Sequence, residues 1–352
     1  MEIVKTALSY RRGPEIGHGF FGTVYLADDP QLGGQVAVKE IPKIAFPAGA
    51  AEFFREAHAM FASESPNVVP IRYASDATDH VCLAMPYFKN GSLEAKIKDG
   101  PLPVADVIHI GQGLLDGLAQ VHRVGGLIHY DVKPSNVLFS NHGDALIADF
   151  GQAKAIGTAG LAPLPTAMYH TGRPPEAFSI ADGSIGYDVY QAGLTLYRAV
   201  NGNPHWLEQI PSPTECEKEI TKGRFPDRRH FMPHVPRALR TVLRKALNVD
   251  PVRRFATAEA FSRALNNVTV RLRWRVTLLP HDEIQWEATR DGRSSLVVTL
   301  TRNRFDSWDV KHYTQTATGR RKRGESDLWQ LSLGRISAWQ GLDSLFAQLE
   351  QE

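Results

Sequence analysis

The spacing of apolar residues changes period twice along this chain, and those two changes constrain its fold more than its composition does. From about residue 8 to residue 88, β-branched and apolar runs alternate with turn residues. TVYLA (23–27) and QVAVKEI (35–41) flank DDPQLGG, whose Asp, Pro and Gly residues suit a hairpin. One helical stretch interrupts them, AAEFFREAHAMFASE (50–64), with Phe53, Phe54, Ala57, Met60 and Phe61 on one face. After NGSL (90–93) the period lengthens. VADVIHIGQGLLDGLAQVHRV (104–124) predicts a long helix, and further helices are expected at 194–200, 238–247 and 258–268. Near residue 268 the period shortens again. VTVRLRWRVTLL (268–279) alternates strictly, placing Val270, Leu272, Trp274 and Val276 on one face of an expected strand. EIQWEAT, SSLVVTLT and SWDVKHY follow as strands. AWQGLDSLFAQLEQE then gives a helical stripe of Leu342, Leu345, Phe346 and Leu349.

Strands, then helices, then strands again predict an α+β architecture. We expect a domain over 1–266, split into a β-rich lobe (about 1–88) and a helical lobe (about 89–266), with NGSL as the hinge. A small β-rich α+β domain closed by a helix is expected over 267–352. A formal charge of +2 gives no global pull towards nucleic acid or membrane. The two cysteines, Cys82 and Cys216, are far apart and read as unpaired thiols suited to a reducing compartment. MEIVKTALSYRR lacks the apolar core of a signal peptide, and no apolar run approaches the ~20 residues that span a bilayer. A soluble, cytoplasmic protein is the expectation.

The chemistry concentrates in a few short runs. In IGHGFFGTVY, Gly17, Gly19 and Gly22 form G-x-G-x-x-G, but they lead into a β-branched run rather than a helix. This suits a strand–turn–strand lid whose backbone N–H groups approach phosphates, not a dinucleotide fingerprint. Lys39 on the next strand can neutralise phosphate if a carboxylate holds it, and Glu56 on the following helix is well placed to do so. HYDVKPSNVLF (129–139) brings Asp131, Lys133 and Asn136 into six residues, and IADFGQAK adds Asp149. Phosphoryl transfer needs this set: an acceptor for a hydroxyl proton, a cation for developing charge, and oxygen ligands for Mg²⁺.

Taken together and in this order, these runs resemble the protein kinase family, in particular the bacterial eukaryotic-like (Hanks-type) Ser/Thr kinases, over roughly residues 10 to 265. The resemblance implies a two-lobed kinase fold. It also assigns roles: Asp131 as base, Lys133 as transition-state cation, Asn136 and Asp149 as metal ligands, and Lys39 with Glu56 as the pair that orients the triphosphate. Adenine is expected against Ile16, Val24, Ala37 and Leu138, with backbone contacts along Pro86, Tyr87 and Phe88 and Met85 at the back of the pocket. Pro174-Pro175-Glu176 stands where the family has Ala-Pro-Glu. Asp188 resembles its buried helix aspartate, and Arg254 the arginine that pairs with Glu176. ATP and Mg²⁺ are the implied cofactors, with Mn²⁺ able to substitute, and a protein is the implied substrate.

Asp-x-Lys-x-x-Asn around Lys133 is the Ser/Thr form of the catalytic loop. A pseudokinase scaffold and a small-molecule phosphotransferase are the alternatives, the first disfavoured by the complete catalytic set. Two positions depart from the family. Tyr130 replaces the arginine that usually binds an activation-loop phosphate, so activity is expected without that phosphate, with Lys154 or Arg173 as substitute cations in the competing reading. Tyr169 stands at the usual docking threonine, leaving Thr166 or Thr171 to serve instead. Thr158, Thr166 and Thr171 are candidate autophosphorylation sites.

Residues 267–352 resemble no family known to us. The cluster TGRRKRGE (318–325) reads as a solvated loop, and nucleic acid is not the expected partner. A regulatory partner or self-association through this region is.

Overall fold

The computed structural model describes residues 9–19, 22–31, 33–45, 58, 61–166, 169–289, 294–316, 319–322 and 330–350. Most of the helix expected at 50–64, including Glu56, lies outside them. Five strands form the first sheet: β1 (Arg11–Gly19), β2 (Gly22–Asp29), β3 (Gly34–Pro42), β4 (Tyr73–Asp76) and β5 (His80–Pro86), in the order β1-β2-β3-β5-β4. All neighbours run antiparallel. Val24 opposes Lys39 and Ala37 opposes Met85, so the register places Val24, Ala37, Lys39 and Met85 on one face.

The chain then turns helical. Ser92 accepts a hydrogen bond from Ala95 N–H and so caps α1 (Leu93–Lys96). The long α2 (Val104–Arg123) buries Val107, Ile110, Leu114, Leu118 and Val121, the stripe its period predicts. Short pairs follow: β6 (Leu127–Ile128) with β9 (Lys154–Ala155), β7 (Val137–Phe139) with β8 (Ala145–Ile147), and β10 (Ala162–Pro163) with β11 (Asp182–Gly183). Helices α3 (Gly186–Asn201), α4 (Asn203–Gln209), α5 (Cys216–Thr221), α6 (Arg237–Ala246) and α7 (Ala258–Asn266) complete the helical part. No helix among the described residues is long and apolar enough to cross a membrane.

The C-terminal sheet contains β12 (Arg275–Leu279), β13 (Glu283–Thr289), β14 (Ser294–Arg302), β15 (Trp308–Thr316) and β16 (Gly319–Lys322) in sequential order, with β17 (Gln330–Leu333) also pairing β15. The strand expected from 268 begins only at Arg275. Before it, Trp274 N–H bonds locally to Leu272 C=O, although Trp274 is buried and Val270 and Leu272 pack on the core. Residues 319–322, expected in a solvated loop, instead form β16 opposite Tyr313–Thr316; residues 318 and 323–325 lie outside the described residues.

Helix α8 (Arg335–Leu349) covers this sheet with Leu342, Leu345, Phe346 and Leu349. Its stripe therefore closes the core of this sheet. That core is continuous with the helical lobe, running from Leu239 and Leu243 through Trp274, Trp286 and Phe346. At the seam, Trp286 Nε1 donates to Nδ1 of His234 at 3.1 Å. Burial pushes His234 down to about 3, so the ring is a neutral acceptor. Arg240 pairs with Asp343 at 2.7 Å and Arg273 with Asp106 at 2.7 Å.

A shared core predicts shared cooperativity. We expect a single calorimetric transition for both regions, and Trp286→Ala to lower stability by about 3–5 kcal/mol. Two separable transitions in the parent protein would contradict a continuous core.

Candidate active site

The stretch from His129 to Val132 is shaped by one buried helix. Almost every residue of α3 is buried, and among its buried polar side chains Asp188, Gln191 and Thr195 face the His129–Val132 stretch. Their spacing, i, i+3 and i+7, puts them on one face. Asp188 Oδ1 accepts the N–H of Tyr130 at 2.8 Å, and Oδ2 accepts the N–H of His129 at 2.8 Å. Oδ2 also lies 2.7 Å from His122 Nε2. Gln191 Oε1 accepts the N–H of Val132 at 2.9 Å, and Thr195 Oγ1 donates to Val132 C=O at 3.4 Å. These bonds hold Tyr130 at φ +64°, a left-handed conformation that costs a non-glycine residue on the order of 1–3 kcal/mol. His129 is buried and Asp131 is half-exposed on either side of that turn.

Burial lowers the His129 pKa, leaving the ring neutral. Its Nδ1 accepts from Asp131 N–H at 3.3 Å, which makes Nε2–H the donor to Ala148 C=O at 3.2 Å. The loop is thereby tied to the residue preceding Asp149. Asp131 Oδ2 receives Lys133 Nζ at 2.8 Å and Asn136 Nδ2 at 2.9 Å. Asn136 Nδ2 also donates to Asp131 C=O at 2.8 Å. Both amide hydrogens of Asn136 are then committed, so its Oδ1 is the atom left to meet a cation.

From the other lobe, Lys39 reaches Asp149 Oδ1 at 2.5 Å, and Gly151 N–H donates to the same oxygen at 3.3 Å. Burial would push the Asp149 carboxyl up, but the Lys39 charge and hydrogen bond outweigh it and hold the group at about 2. Lys39 is itself buried. A side chain on Gly19 would stand 3.7 Å from Asp149 Oδ2, so the end of β1 lies close to the carboxylate. At Gly22 a Cβ would lie 2.2 Å from Glu40 C=O, and only glycine lets β2 pair with β3 there.

The donor set suits a hard divalent cation: a carboxylate, an amide oxygen and an adjacent buried ammonium for phosphate. Among the described residues no cluster of three or more His, Cys, Asp or Glu could hold a metal unaided, so phosphate and water oxygens would complete the shell.

The residues expected around adenine fall on two surfaces. Val24, Ala37 and Met85 share one face of the first sheet, while Leu138, Met85 and Phe88 pack on the cluster of Val69, Leu146 and Ala148. Tyr87 is half-buried beside Phe88. Ile16 is exposed at a β-bulge between Glu15 and Gly17. Glu56 lies outside the described residues.

Tyr130 turns its ring under the segment that follows Gly151. Its hydroxyl donates to Ala162 C=O at 2.6 Å, and its ring meets Tyr187 edge-on at 4.9 Å. A Cβ at Gly183, opposite Ala162 in the β10–β11 pair, would strike the Tyr130 hydroxyl at 2.8 Å. Burial raises the Tyr130 phenol, which stays neutral. Lys154 lies opposite Ile128 in the β6–β9 pair, and the Arg173 guanidinium lies over Phe178. Thr158 and Thr166 are exposed, whereas Thr171 Oγ1 is buried without a hydrogen-bond partner among the described residues. Arg254 grips Glu176 bidentately at 2.6 and 2.7 Å.

His122, Gln191 and Thr195 are contacts that the motifs did not announce. The available signal was periodic: Gln191 and Thr195 share a helical face with Asp188.

Residues 10–265 match the model of the protein kinase domain family. The chain is similar to the serine/threonine-protein kinase PknK of Mycobacterium tuberculosis, 32% identical over 258 residues, covering 72% of this chain and 23% of that protein. It is also similar to the serine/threonine-protein kinase PrkC of Bacillus subtilis, 28% identical over 261 residues, covering 69% of this chain and 38% of PrkC. The chain thus spans well under half the length of these relatives.

The depressed Asp149 carboxyl makes a signed prediction. Its contribution to stability is complete above the ordinary value of 3.8 and is lost as pH falls through about 2. Acid unfolding of Asp149→Asn should therefore depend less steeply on pH between about 4 and 2 than that of the parent protein. Identical acid limbs would refute the Lys39–Asp149 pairing.

Proposed function

The chain belongs to the protein kinase family, and on that premise we propose that it transfers the γ-phosphate of ATP to serine and threonine hydroxyls of proteins. The convergence of Lys133 and Asn136 on Asp131 Oδ2 carries this reading. Asp131 accepts the proton of the attacking hydroxyl, and its hydrogen bonds hold the carboxylate in one orientation. Lys133 stands where negative charge grows on the transferred group. Lys39 neutralises the remaining phosphates and at the same time keeps Asp149 ionised. Asn136 Oδ1 and Asp149 would hold Mg²⁺, which neutralises and orients the triphosphate when bound. Lys133 and the names of both relatives favour Ser/Thr over Tyr as acceptor.

We further propose that transfer does not require a phosphate on the activation segment. A docking arginine acts by ordering that segment through charge-assisted bonds. Here the Tyr130 hydroxyl reaches Ala162 C=O directly, and its apolar ring packs with Ile128, Ala162, Ala177 and Tyr187. In this reading residues 267–352 form an accessory β-rich domain fixed to the helical lobe, able to receive a regulatory partner. Two unpaired buried thiols, Cys82 and Cys216, favour the cytoplasm.

Transfer from labelled ATP with Mg²⁺ to a generic acceptor protein tests the activity. Phospho-Ser or phospho-Thr should form, and Asp131→Ala should lower the rate by at least about 100-fold. Asp149→Ala should abolish it. No transfer by the parent protein despite nucleotide binding would favour a scaffold. For the latch, Tyr130→Phe keeps the ring and loses the bond to Ala162. Amide exchange across residues 158–166 should then accelerate, and unchanged exchange would remove the latch from the account.

A further inference from the structure

Gln191 is buried in α3, and its amide spans two segments that otherwise approach the acceptor site separately. Oε1 accepts the N–H of Val132, the residue between Asp131 and Lys133, at 2.9 Å. Nε2 donates to Gly172 C=O at 3.2 Å. Gly172 lies in the segment of residues 169–173 that runs into Glu176. One side chain therefore links the loop bearing the base to the segment on which an acceptor peptide would rest.

The hydroxyls expected to make such a link do not make it. Tyr169, at the usual threonine position, is 52% exposed. Thr171 Oγ1 is buried with no partner among the described residues. We infer that Gln191 is the positioning residue that sets the acceptor-docking segment against the catalytic loop in this chain, taking over the role that the displaced threonine leaves open. The inference deepens the proposed kinase reading and rests on it.

The chemistry requires an amide. The bridge needs an acceptor for Val132 N–H and a donor for Gly172 C=O from one buried, uncharged group, and a carboxamide supplies both without titrating. Ionised glutamate keeps the acceptor and loses the donor. Leucine is one atom shorter and has neither function. Asp188 and Thr195 remain in place on the same face in either variant, so the loop keeps its other anchors.

The variants should separate acceptor handling from nucleotide handling. Steady-state transfer to a Ser/Thr peptide would be measured for the parent, Gln191→Leu and Gln191→Glu, alongside ATP affinity from a fluorescent-nucleotide titration. In Gln191→Leu, kcat/KM for the peptide should fall about ten-fold or more while ATP affinity stays within about two-fold. Gln191→Glu should raise the peptide KM and leave kcat close to the parent value, because the contact to Val132 survives. Gln191→Glu carries the test if Gln191→Leu fails to fold.

Peptide kinetics within about two-fold of the parent in Gln191→Glu, or a parallel loss of peptide turnover and ATP affinity, would overturn the inference. Absence of transfer by the parent protein to any Ser/Thr peptide would instead overturn the kinase reading beneath it.

Discussion

Asp188 is a fully buried carboxylate whose two oxygens take the backbone N–H groups of His129 and Tyr130 and the ring of His122. A carboxyl group at that depth is tolerable only because its oxygens are hydrogen-bonded, to two backbone N–H groups and to the His122 ring. The arrangement in turn dictates the loop. With two successive N–H groups drawn onto one carboxylate, Tyr130 takes its left-handed turn. Asp131 is then left half-exposed, next to Lys133 and Asn136. Removing the carboxylate would release two buried N–H groups and the strained turn together, so Asp188 governs more of the site than any residue that meets substrate.

The remainder of the site is tied to this loop by long-range pairs. His129 joins it to Ala148, one residue before Asp149, and Lys39 brings the first sheet to Asp149 across 110 positions of sequence. Arg254 and Glu176 secure the far end of the activation segment across 78 positions. Asp149, like Tyr130, adopts positive φ, at +62°. Strain at both turns, supported by buried hydrogen bonds, is what a site set before substrate arrives requires.

Asp131, Lys133, Asn136 and Asp149 were legible in sequence because their chemistry depends on short local spacing. Their ordered recurrence with the glycine turn and Lys39 is hard to produce otherwise. The helices α2, α6 and α7 were legible for the same reason, since a 3.6-residue stripe is a local property, whereas the short α4 and α5 and the first half of α3 were not expected. Gln191 was not, because its partners, Val132 and Gly172, are chosen by tertiary packing. The strand expected from 268 failed at its start for a related reason. Alternation tells which side chains turn inward, and Trp274 does so, but it says nothing about whether the backbone finds a partner strand. Nor did the pattern reveal that Trp286 would lean on His234 and merge the C-terminal sheet with the helical lobe. The role expected of Glu56 lies outside the described residues.

In the proposed reading, buried hydrogen bonds, not an activation-segment phosphate, set the catalytic loop. That reading is tested most directly by the first minutes of phosphoryl transfer by protein co-expressed with a phosphatase and shown by intact mass to carry no phosphate. Product should accumulate linearly from the start, at the rate of enzyme pre-incubated with ATP and Mg²⁺. A lag that shortens with enzyme concentration and disappears after pre-incubation would mean that the loop awaits a phosphate, and would contradict it.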